Sequence, residues 1–491
     1  MVSAEMESLA RTGGLGDVVE ALSARIAQLE THVLVVTPLY GVTRVPRGTK
    51  RWEDALEVRT GWGPNDVRHV GVVELEPAHG GFLRVCLVDD PSLFARDGIY
   101  GDKFGTFGDN ELRFATLSRA ALEISARAWG PPGIEGGPDV IHAHDWHAAL
   151  SILYAKTTMG HAWSEKKSCF TIHNLGFQGV LRFEALDALA IPRVAFSSGL
   201  LAHQGSVNLM KGAIQLADRV TTVSPTYAKE ILTEASGMGL DDFLRTNAGK
   251  LVGVLNGIDM GRFDPATDTS LPFRYDAATA VEGKRECKRA LYAECGLEPS
   301  PDSEEDAPLI ATVSRLTWQK GMDLLLEIAP KLVERGARIL LVGQGDEALE
   351  HALYAVAAKY PGRVAARVAF DPSLARRVFA ASDFFAVPSR YEPCGLTQMY
   401  AMRYGAVPIV TGVGGLHDTV EPLDSARGTG TGIVAAAPTA HDLLSACDDA
   451  LTLYRDKPAF ASAIARGMAK DSSWTPSAEA YVRMYRELSS P

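Results

Sequence analysis

The fold is decided by the stretch Ser389–Gly415, SRYEPCGLTQMYAMRYGAVPIVTGVGG, which begins at the end of the apolar run ASDFFAVPS. That run is typical of a strand buried on both faces, as parallel strands are. Glu392 and the proline after it end the strand, Gly395 permits a tight turn, and Leu396–Tyr404 carries apolar residues at helical spacing. A helix that starts there directs free N–H groups at whatever lies above the sheet, which favours an anion such as phosphate.

A strand, a glycine turn and a helix also occur as plain scaffold. Two features favour a functional site here. Glu392 lies at the mouth of the turn, and a second unit of the same kind, GVGGLHDTV, follows directly after the strand AVPIV. The stretch therefore predicts an α/β protein with a parallel sheet and a ligand site at the strand ends.

Length and charge narrow the class of protein. A chain of 491 residues is too long for one core and predicts two or three domains. A net charge of −11 argues against nucleic acid or an anionic membrane as a partner, and no apolar run reaches the roughly 18 residues of a membrane helix. The six cysteines form no CxxC pair and no zinc spacing, so we expect reduced thiols in a cytoplasmic protein. No signal peptide is predicted, because the chain runs straight into a glycine-rich turn.

The first half of the chain contains strands that end in polar turns. A short strand at Met1–Ala4 precedes RTGGLGD, in which the adjacent Gly13 and Gly14 open a helix. Such glycines cradle a phosphate or a sugar through backbone N–H groups, although an ordinary turn is equally compatible. The motif is not GxGxxG with a ribose-binding acid, so a nicotinamide-binding domain is not indicated.

Two further turns of this half carry histidines. PDVIHAHDWHAAL predicts the strand VIHAH and a helix from Asp145, whose carboxylate is either a helix N-cap or a substrate contact. Alternation puts His142 and His144 on one face, but no acid-rich ligand set accompanies them or His147, so no metal site is predicted. His173 follows the strand CFTI at the same end of the sheet, where open α/β sheets bind ligands.

The second half repeats the alternation of strand and helix. A polar stretch from Phe263 to about Ala280 is interpreted as the linker, and Pro299–Pro308 as a solvated acidic loop. The strand LIATVS leads through Arg315 and Lys320 into the next helix. This pattern predicts two doubly wound, Rossmann-like parallel sheets that face one another across a cleft. With Arg11, these cations could hold a diphosphate without a divalent ion, whereas no GxSxG or Walker motif supports a hydrolase or a kinase.

These motifs together resemble the bacterial glycogen synthase and plant starch synthase family, retaining glucosyltransferases with the two-domain GT-B fold. The resemblance runs nearly end to end and is carried by GGLGDVV (13–19), HAHDWHA (142–148), TIHNLGFQG (171–179), VTTVSPTYAKEI (220–231), LNGID (255–259), SRLTWQKG (314–321) and EPCGLTQMYAMRYG (392–405). Broader GT-B relatives place a second acid where this chain has Tyr400, which favours the glycogen and starch synthases.

The resemblance implies three segments: residues 1–260 as the glucan-binding (acceptor) domain, residues 261–470 as the nucleotide-sugar domain, and residues 471–491 as a helix that returns to the first domain. It implies ADP-glucose as donor, an α-1,4-glucan as acceptor, and no cofactor or metal. A UDP-glucose-dependent enzyme, and a catalytically weak relative that only binds glucan or nucleotide, are the alternatives.

The same resemblance implies roles for single residues. Arg315 and Lys320 would neutralise the diphosphate, Glu392 would contact the glucosyl unit, and His173 would hold its 6-hydroxyl. The remaining expected site residues are Asp145 and Asn256 beside the glucose, Arg11, Gly13 and Gly14 over the donor, Phe370 against the base, and Cys394, Gly395, Leu396 and Thr397 as backbone donors.

This sequence departs from the family pattern at three places. Arg11 stands where the family usually has lysine, so a planar fork replaces a point charge. Thr411-Gly412-Val413 stands where a basic residue usually precedes the last glycine pair, and Phe370-Asp371 stands at the position that packs on the base. These departures bear on donor affinity.

Overall fold

The computed structural model describes residues 1–63, 65–128, 137–299, 307–369, 371–424 and 427–490. They form two compact units, Met1–Asn256 with Trp474–Pro491, and Gly257–Ser473. Each unit contains a largely parallel sheet whose strands alternate with helices. Within the described ranges, no helix combines the length and the apolar character that crossing a membrane requires.

The sheet of the first unit has two runs of parallel strands. One run joins Val33–Pro38 to Leu83–Asp89. The other consists, in spatial order, of Val140–His144, Lys167–Ile172, Arg219–Thr222 and Leu251–Gly253. Val2 bridges in parallel to both Val36 and Ala143, so the predicted strand Met1–Ala4 is reduced to a bridging residue between the two runs. A cavity of about 360 Å³ lies beside it, between the starts of Val33–Pro38 and Val140–His144.

The outer part of this sheet is antiparallel, which the sequence analysis did not predict. Val67–Glu74 pairs antiparallel with Leu83–Asp89, and Lys50–Arg51 and Leu56–Arg59 pair antiparallel with Val67–Glu74. Residues of Leu56–Arg59 are alternately buried and exposed, as expected of a strand with one solvated face. Short strands elsewhere in the unit are Gly101–Asp102, Gly105–Thr106, Val180–Leu181, Ala202–His203 and Ser206–Asn208.

The second unit has a six-stranded sheet that is parallel throughout. Its strands, in chain order, are Leu309–Val313, Arg338–Val342, Val364–Arg367, Phe384–Val387, Val407–Thr411 and Ile433–Ala435. Their spatial order is third, second, first, fourth, fifth and sixth. This is the doubly wound order of dinucleotide-binding folds, in which ligands bind where the order reverses. The strand order reverses between Leu309–Val313 and Phe384–Val387. The second of these strands directly precedes the stretch Ser389–Gly415.

The helices follow the strands in both units. Those of the first unit are Gly14–Gln28, Pro91–Phe94, Asn110–Ala128, Asp145–Thr157, His161–Ser164, Ala185–Ala188, Val194–Ser197, Leu209–Leu216, Pro225–Glu230, Asp241–Thr246 and Thr475–Ser489. Those of the second are Ala280–Cys295, Met322–Glu334, Glu347–Lys359, Pro372–Ala381, Thr397–Arg403, Gly414–Thr419, Ala440–Arg455 and Lys457–Ala469.

The last helix, Thr475–Ser489, packs within the first unit. Its Tyr481 and Val482 are buried in one apolar cluster with Leu22 and Ile26 of the helix Gly14–Gln28. Arg25 Nη2 also donates to Thr475 Oγ1 at 2.9 Å. Since burial of each large apolar side chain is worth roughly 1.5–3 kcal/mol, this helix contributes to the stability of the first unit.

Candidate active site

The second unit has a cavity of about 140 Å³ at the reversal of its strand order. Arg315 and Lys320 line it from the segment after the strand Leu309–Val313, and Ser389 and Thr397 from the segment after Phe384–Val387. The helix that begins at Thr397 therefore starts at this cavity. Two cations and a helix N-terminus together favour a polyanionic ligand.

Lys320 and Glu392 form a largely buried ion pair at this cavity. Lys320 Nζ donates to Glu392 Oε2 at 2.5 Å, and Ser389 Oγ donates to the same oxygen at 2.8 Å. Glu392 is 5% exposed. Its carboxylate is thus held in one orientation by two donors. Of these two residues, only Lys320 was predicted from the sequence to belong to the site. Ser389 was missed, although its position directly after a buried strand was the available signal.

The turn that carries Lys320 depends on a glycine. Gly321 has a φ of 64°, and a Cβ there would lie 2.0 Å from the carbonyl oxygen of Pro388. Only glycine lets the two strand-end segments approach so closely. This close approach is what places Lys320 against Glu392.

Arg315 differs from Lys320 in its surroundings. Its side chain is exposed, and the guanidinium has no hydrogen bond or ion pair to the described residues. It lies close enough to Tyr391 to oppose the rise in that phenol's pKa that burial causes. Arg315 is therefore a cation at the cavity that is not neutralised by a carboxylate of the described chain.

The segment after Glu392 packs on the second glycine turn. The N–H of Gly415 donates to the carbonyl of Glu392 at 3.0 Å, and a Cβ at Gly415 would lie 2.1 Å from the carbonyl oxygen of Cys394. Thr411, at one of the departures from the family pattern, is buried and donates to the carbonyl of Ser389 at 2.5 Å. This threonine thus braces the strand end that supports Glu392.

Phe370 lies outside the described residues. Its neighbour Asp371 accepts from the N–H groups of Ser373 and Leu374 and caps the helix Pro372–Ala381. All six cysteines, including Cys394, are buried, and none of them forms a disulfide.

In the first unit, Asp145 has an unusual backbone conformation. Its φ of 59° is uncommon for a residue with a side chain, although Asp adopts it more readily than most residues do, and such conformations cluster at active sites. Its Oδ1 accepts from the N–H of His173 at 2.8 Å and from that of Asn174 at 3.4 Å. The N-cap interpretation is therefore wrong, because the carboxylate joins the neighbouring strand end instead of its own helix. Burial raises its pKa to about 7, against the opposing effect of those two N–H groups.

The histidines form a stack below Asp145. The rings of His142 and His144 lie 4.1 Å apart on the same face, as the strand alternation predicted. His144 Nδ1 lies 3.0 Å from His173 Nε2. Burial lowers the pKa of His173 to about 3 and that of His144 well below its usual value, so both rings are neutral near pH 7. In the part of the chain that the structure describes, no cluster of three or more His, Cys, Asp or Glu side chains could hold a metal ion.

The glycine turn near the N-terminus is occupied by an acid that sequence reasoning missed. Glu5 Oε2 accepts from the N–H groups of Thr12 (2.6 Å) and Gly13 (3.1 Å), and Tyr100 donates to Glu5 Oε1 at 2.5 Å. The N–H of Gly13 thus donates to Glu5 in this structure, and the place of Gly13 over the donor stays a prediction. Gly14 begins the helix that follows.

Arg11 is held by carboxylates beside this turn. Its Nη1 donates to Glu7 at 2.9 Å and to Asp17 at 2.6 Å. Burial raises the pKa of Asp17 to about 7, with Arg11 opposing the rise. Asn256, the last residue of the first unit, is buried. The expected site residues thus fall into two groups: Asp145, His173, Arg11, Gly13, Gly14 and Asn256 in the first unit, and Arg315, Lys320, Glu392 and Cys394–Thr397 in the second.

Two family models match this chain. Residues 1–246 match the starch synthase catalytic domain family and residues 307–453 match glycosyl transferases group 1. The chain is 41% identical over 499 residues to glycogen synthase from Anaeromyxobacter sp. (strain Fw109-5), covering 100% of this chain and 99% of the relative. It is 42% identical over 497 residues to glycogen synthase from Myxococcus xanthus (strain DK1622), covering 99% and 98%.

Solved structures show the same likeness. The catalytic domain of starch synthase IV from Arabidopsis thaliana, bound to ADP and acarbose, superposes with a TM-score of 0.89 at 30% identity, over 100% of this chain and 99% of that one. Sucrose-phosphate synthase from Thermosynechococcus elongatus has a TM-score of 0.60 at 19% identity, over 99% and 98%, and shares the fold.

The fold and the cationic site at the strand reversal define a GT-B glycosyltransferase, which confirms the predicted fold class. The chain belongs to the starch synthase catalytic domain family, and it is a glucosyltransferase of the glycogen and starch synthase type. Its substrates are accordingly a nucleotide sugar and a glucan.

Proposed function

We propose that the protein transfers glucose from ADP-glucose to the non-reducing end of an α-1,4-glucan, with retention of configuration. The observation that carries this proposal is the cavity at the strand reversal, where Arg315 and Lys320 lie beside the buried Glu392. The solved starch synthase IV, which is similar to this chain, was bound to ADP and acarbose.

The donor binds the second unit through its diphosphate. Arg315, which has no carboxylate partner in the described chain, reaches the diphosphate directly, and Lys320 shares its charge between the diphosphate and Glu392. N–H groups of Cys394, Gly395, Leu396 and Thr397 add donors at the start of the helix Thr397–Arg403.

Several polar side chains bind the glucosyl unit. Glu392 orients its hydroxyls, His173 holds the 6-hydroxyl, and Asp145 and Asn256 border the ring. Arg11, Gly13 and Gly14 lie over the donor. Residues 1–260 bind the acceptor glucan, residues 261–470 bind the nucleotide sugar, and residues 471–491 brace the first domain.

The transfer occurs on one face of the sugar. The bond between the anomeric carbon and the diphosphate oxygen breaks, and the acceptor hydroxyl oxygen bonds to the same carbon. The hydroxyl proton passes to the departing diphosphate. Positive charge grows on the sugar ring and negative charge on the leaving group, so catalysis depends on fixed charges: Glu392 faces the ring, and Arg315 and Lys320 face the diphosphate.

Initial rates with ADP-glucose and UDP-glucose on the same glycogen test the proposal. We expect kcat/KM to favour ADP-glucose by at least about tenfold, and the product to lose its label on digestion with β-amylase, which removes α-1,4-linked ends. Glu392→Gln serves as the inactive control. Equal or better use of UDP-glucose, or release of free glucose without chain elongation, would contradict the assignment.

A further inference from the structure

The neighbouring rings of His144 and His173 can carry their protons in two arrangements. Their facing nitrogens, Nδ1 of His144 and Nε2 of His173, are 3.0 Å apart, a hydrogen-bond distance. Both rings are neutral, so each carries a single proton and one proton lies between them. Either His144 donates and His173 presents N–H at Nδ1, or His173 donates and presents a bare nitrogen there.

The surroundings of His144 decide between these two states. Its ring is fully buried, and its Nε2 has no hydrogen-bond partner among the described residues. Its stacking neighbour His142 cannot serve it, because both nitrogens of His142 are engaged, with the hydroxyls of Tyr485 and Thr171 at 2.6 Å each. Orphaned buried N–H groups are rarer in proteins than orphaned acceptors. The proton of His144 therefore lies on Nδ1, and its bare Nε2 faces the interior.

The geometry points to His144 as a positioning residue that holds His173 in the tautomer with the proton on Nδ1. His173 is half-buried, and its Nδ1 makes no hydrogen bond within the described part of the chain. The backbone N–H of His173 donates to Asp145 at 2.8 Å, which fixes the backbone that carries the ring. His173 then acts as a donor toward an oxygen of the ligand. That the ligand is the sugar rests on the proposed function, whereas the tautomer does not.

The stack also explains why the tautomer is held firmly. Thr171 Oγ1 lies 2.6 Å from Thr221 Oγ1, so the chain of contacts from Tyr485 through His142 continues across the neighbouring strand. Moving the proton of His144 from Nδ1 to Nε2 would leave a buried N–H without a partner among the described residues.

Nitrogen NMR of the ligand-free protein, labelled with ¹⁵N in the histidine rings, tests the tautomer directly. We expect His173 to show a protonated Nδ1 and a bare Nε2, with the signals assigned from His173→Ala and His144→Asn. A protonated Nε2 on His173 would overturn the proposal. This experiment needs no substrate, so it stands even if the proposed donor or acceptor is wrong.

Kinetics test the positioning role. His144→Asn, whose side-chain amide can replace the Nδ1 donor, should retain kcat within about threefold, whereas His144→Leu should lose about tenfold or more. In a His173→Ala background, His144→Leu should have almost no further effect on kcat. Leu117→Ala, a buried truncation elsewhere in the first unit, controls for general destabilisation. Equal losses from His144→Leu in both backgrounds, or no rescue by Asn, would overturn the role of His144.

Discussion

Replacing Lys320 with alanine removes the cation of a buried ion pair and leaves Glu392 with the Ser389 hydroxyl alone. Breaking a buried pair costs roughly 3–5 kcal/mol, because the remaining charge stays out of water without its partner. The Lys320 side chain is 18% exposed and that of Glu392 is 7% exposed, which favours the lower end, about 3 kcal/mol. For a unit of this size, that corresponds to a fall in Tm of roughly 6–12 °C.

Calorimetry of four proteins measures this effect: the unmodified chain, Lys320→Ala, Glu392→Gln and the double variant. Glu392→Gln in the Lys320→Ala background removes the stranded charge, so the double variant should recover about 2 kcal/mol relative to the sum of the single changes. The same Lys320→Ala variant should lose about 10²-fold in kcat, as expected when one fixed donor to a developing charge is removed. ADP should raise the Tm of the unmodified chain more than that of Lys320→Ala.

The neighbouring pair of Arg390 and Asp323 is the matched control. It has two bonds of 2.7 Å, but Asp323 is 43% exposed, so Asp323→Asn, which keeps the bond from Arg390 to the carbonyl of Trp318, should cost only about 0–1 kcal/mol. If Lys320→Ala were as stable as Asp323→Asn and turned over at a near-normal rate, the placement of Lys320 between Glu392 and the diphosphate would be refuted.

Three further changes have distinct expected outcomes. Asp145→Asn should flatten the pH dependence of the unfolding free energy between about pH 4 and 7. Burial raises the pKa of Asp145 from 3.8 to about 7, so the folded state holds the proton more tightly, and the protein with Asp145 loses up to roughly 4 kcal/mol of stability as pH rises through that window. An unchanged slope would mean that Asp145 has an ordinary pKa. Arg315→Ala should lower kcat by about 10²-fold, while its unfolding free energy stays within about 0.5 kcal/mol of that of the unmodified chain. Arg315→Lys should restore part of the rate. A large loss of stability without loss of rate would show a structural role for Arg315 instead. Truncation before Trp474 should lower both stability and turnover, because the helix Thr475–Ser489 buries Tyr481 in the core of the first unit. Calorimetry and initial rates measure the two effects, and a stable, fully active truncated chain would contradict this prediction.

The parallel sheet of the second unit was predictable from local sequence. Its strands are continuous apolar runs, and its helices start at Gly, Pro and Asp signals such as Gly321 and Asp371. The placement of Arg315 and Lys320 at one cavity also follows, because residues after parallel strands meet at one edge of the sheet.

Long-range contacts were not predictable in the same way. The carboxylate of Asp145 bonds to N–H groups 28 and 29 residues away, and Glu5 takes the N–H of Gly13 from an adjacent loop. Local sequence left a helix cap and a substrate contact open for Asp145, and a phosphate or sugar cradle and an ordinary turn open for the glycines. The antiparallel strands Leu56–Arg59 and Val67–Glu74 were missed because short, half-exposed strands carry a weak apolar pattern.

In the proposed mechanism, fixed protein charges drive glucosyl transfer from ADP-glucose. The most direct measurement is incorporation of labelled glucose from ADP-glucose into glycogen in excess EDTA, and again after addition of Mg²⁺. Because Arg315 and Lys320 supply the positive charge at the diphosphate, we expect the rate in EDTA to match the rate with Mg²⁺, and Lys320→Ala to be slow in both. Activity that disappears in EDTA and returns with Mg²⁺ would contradict the account.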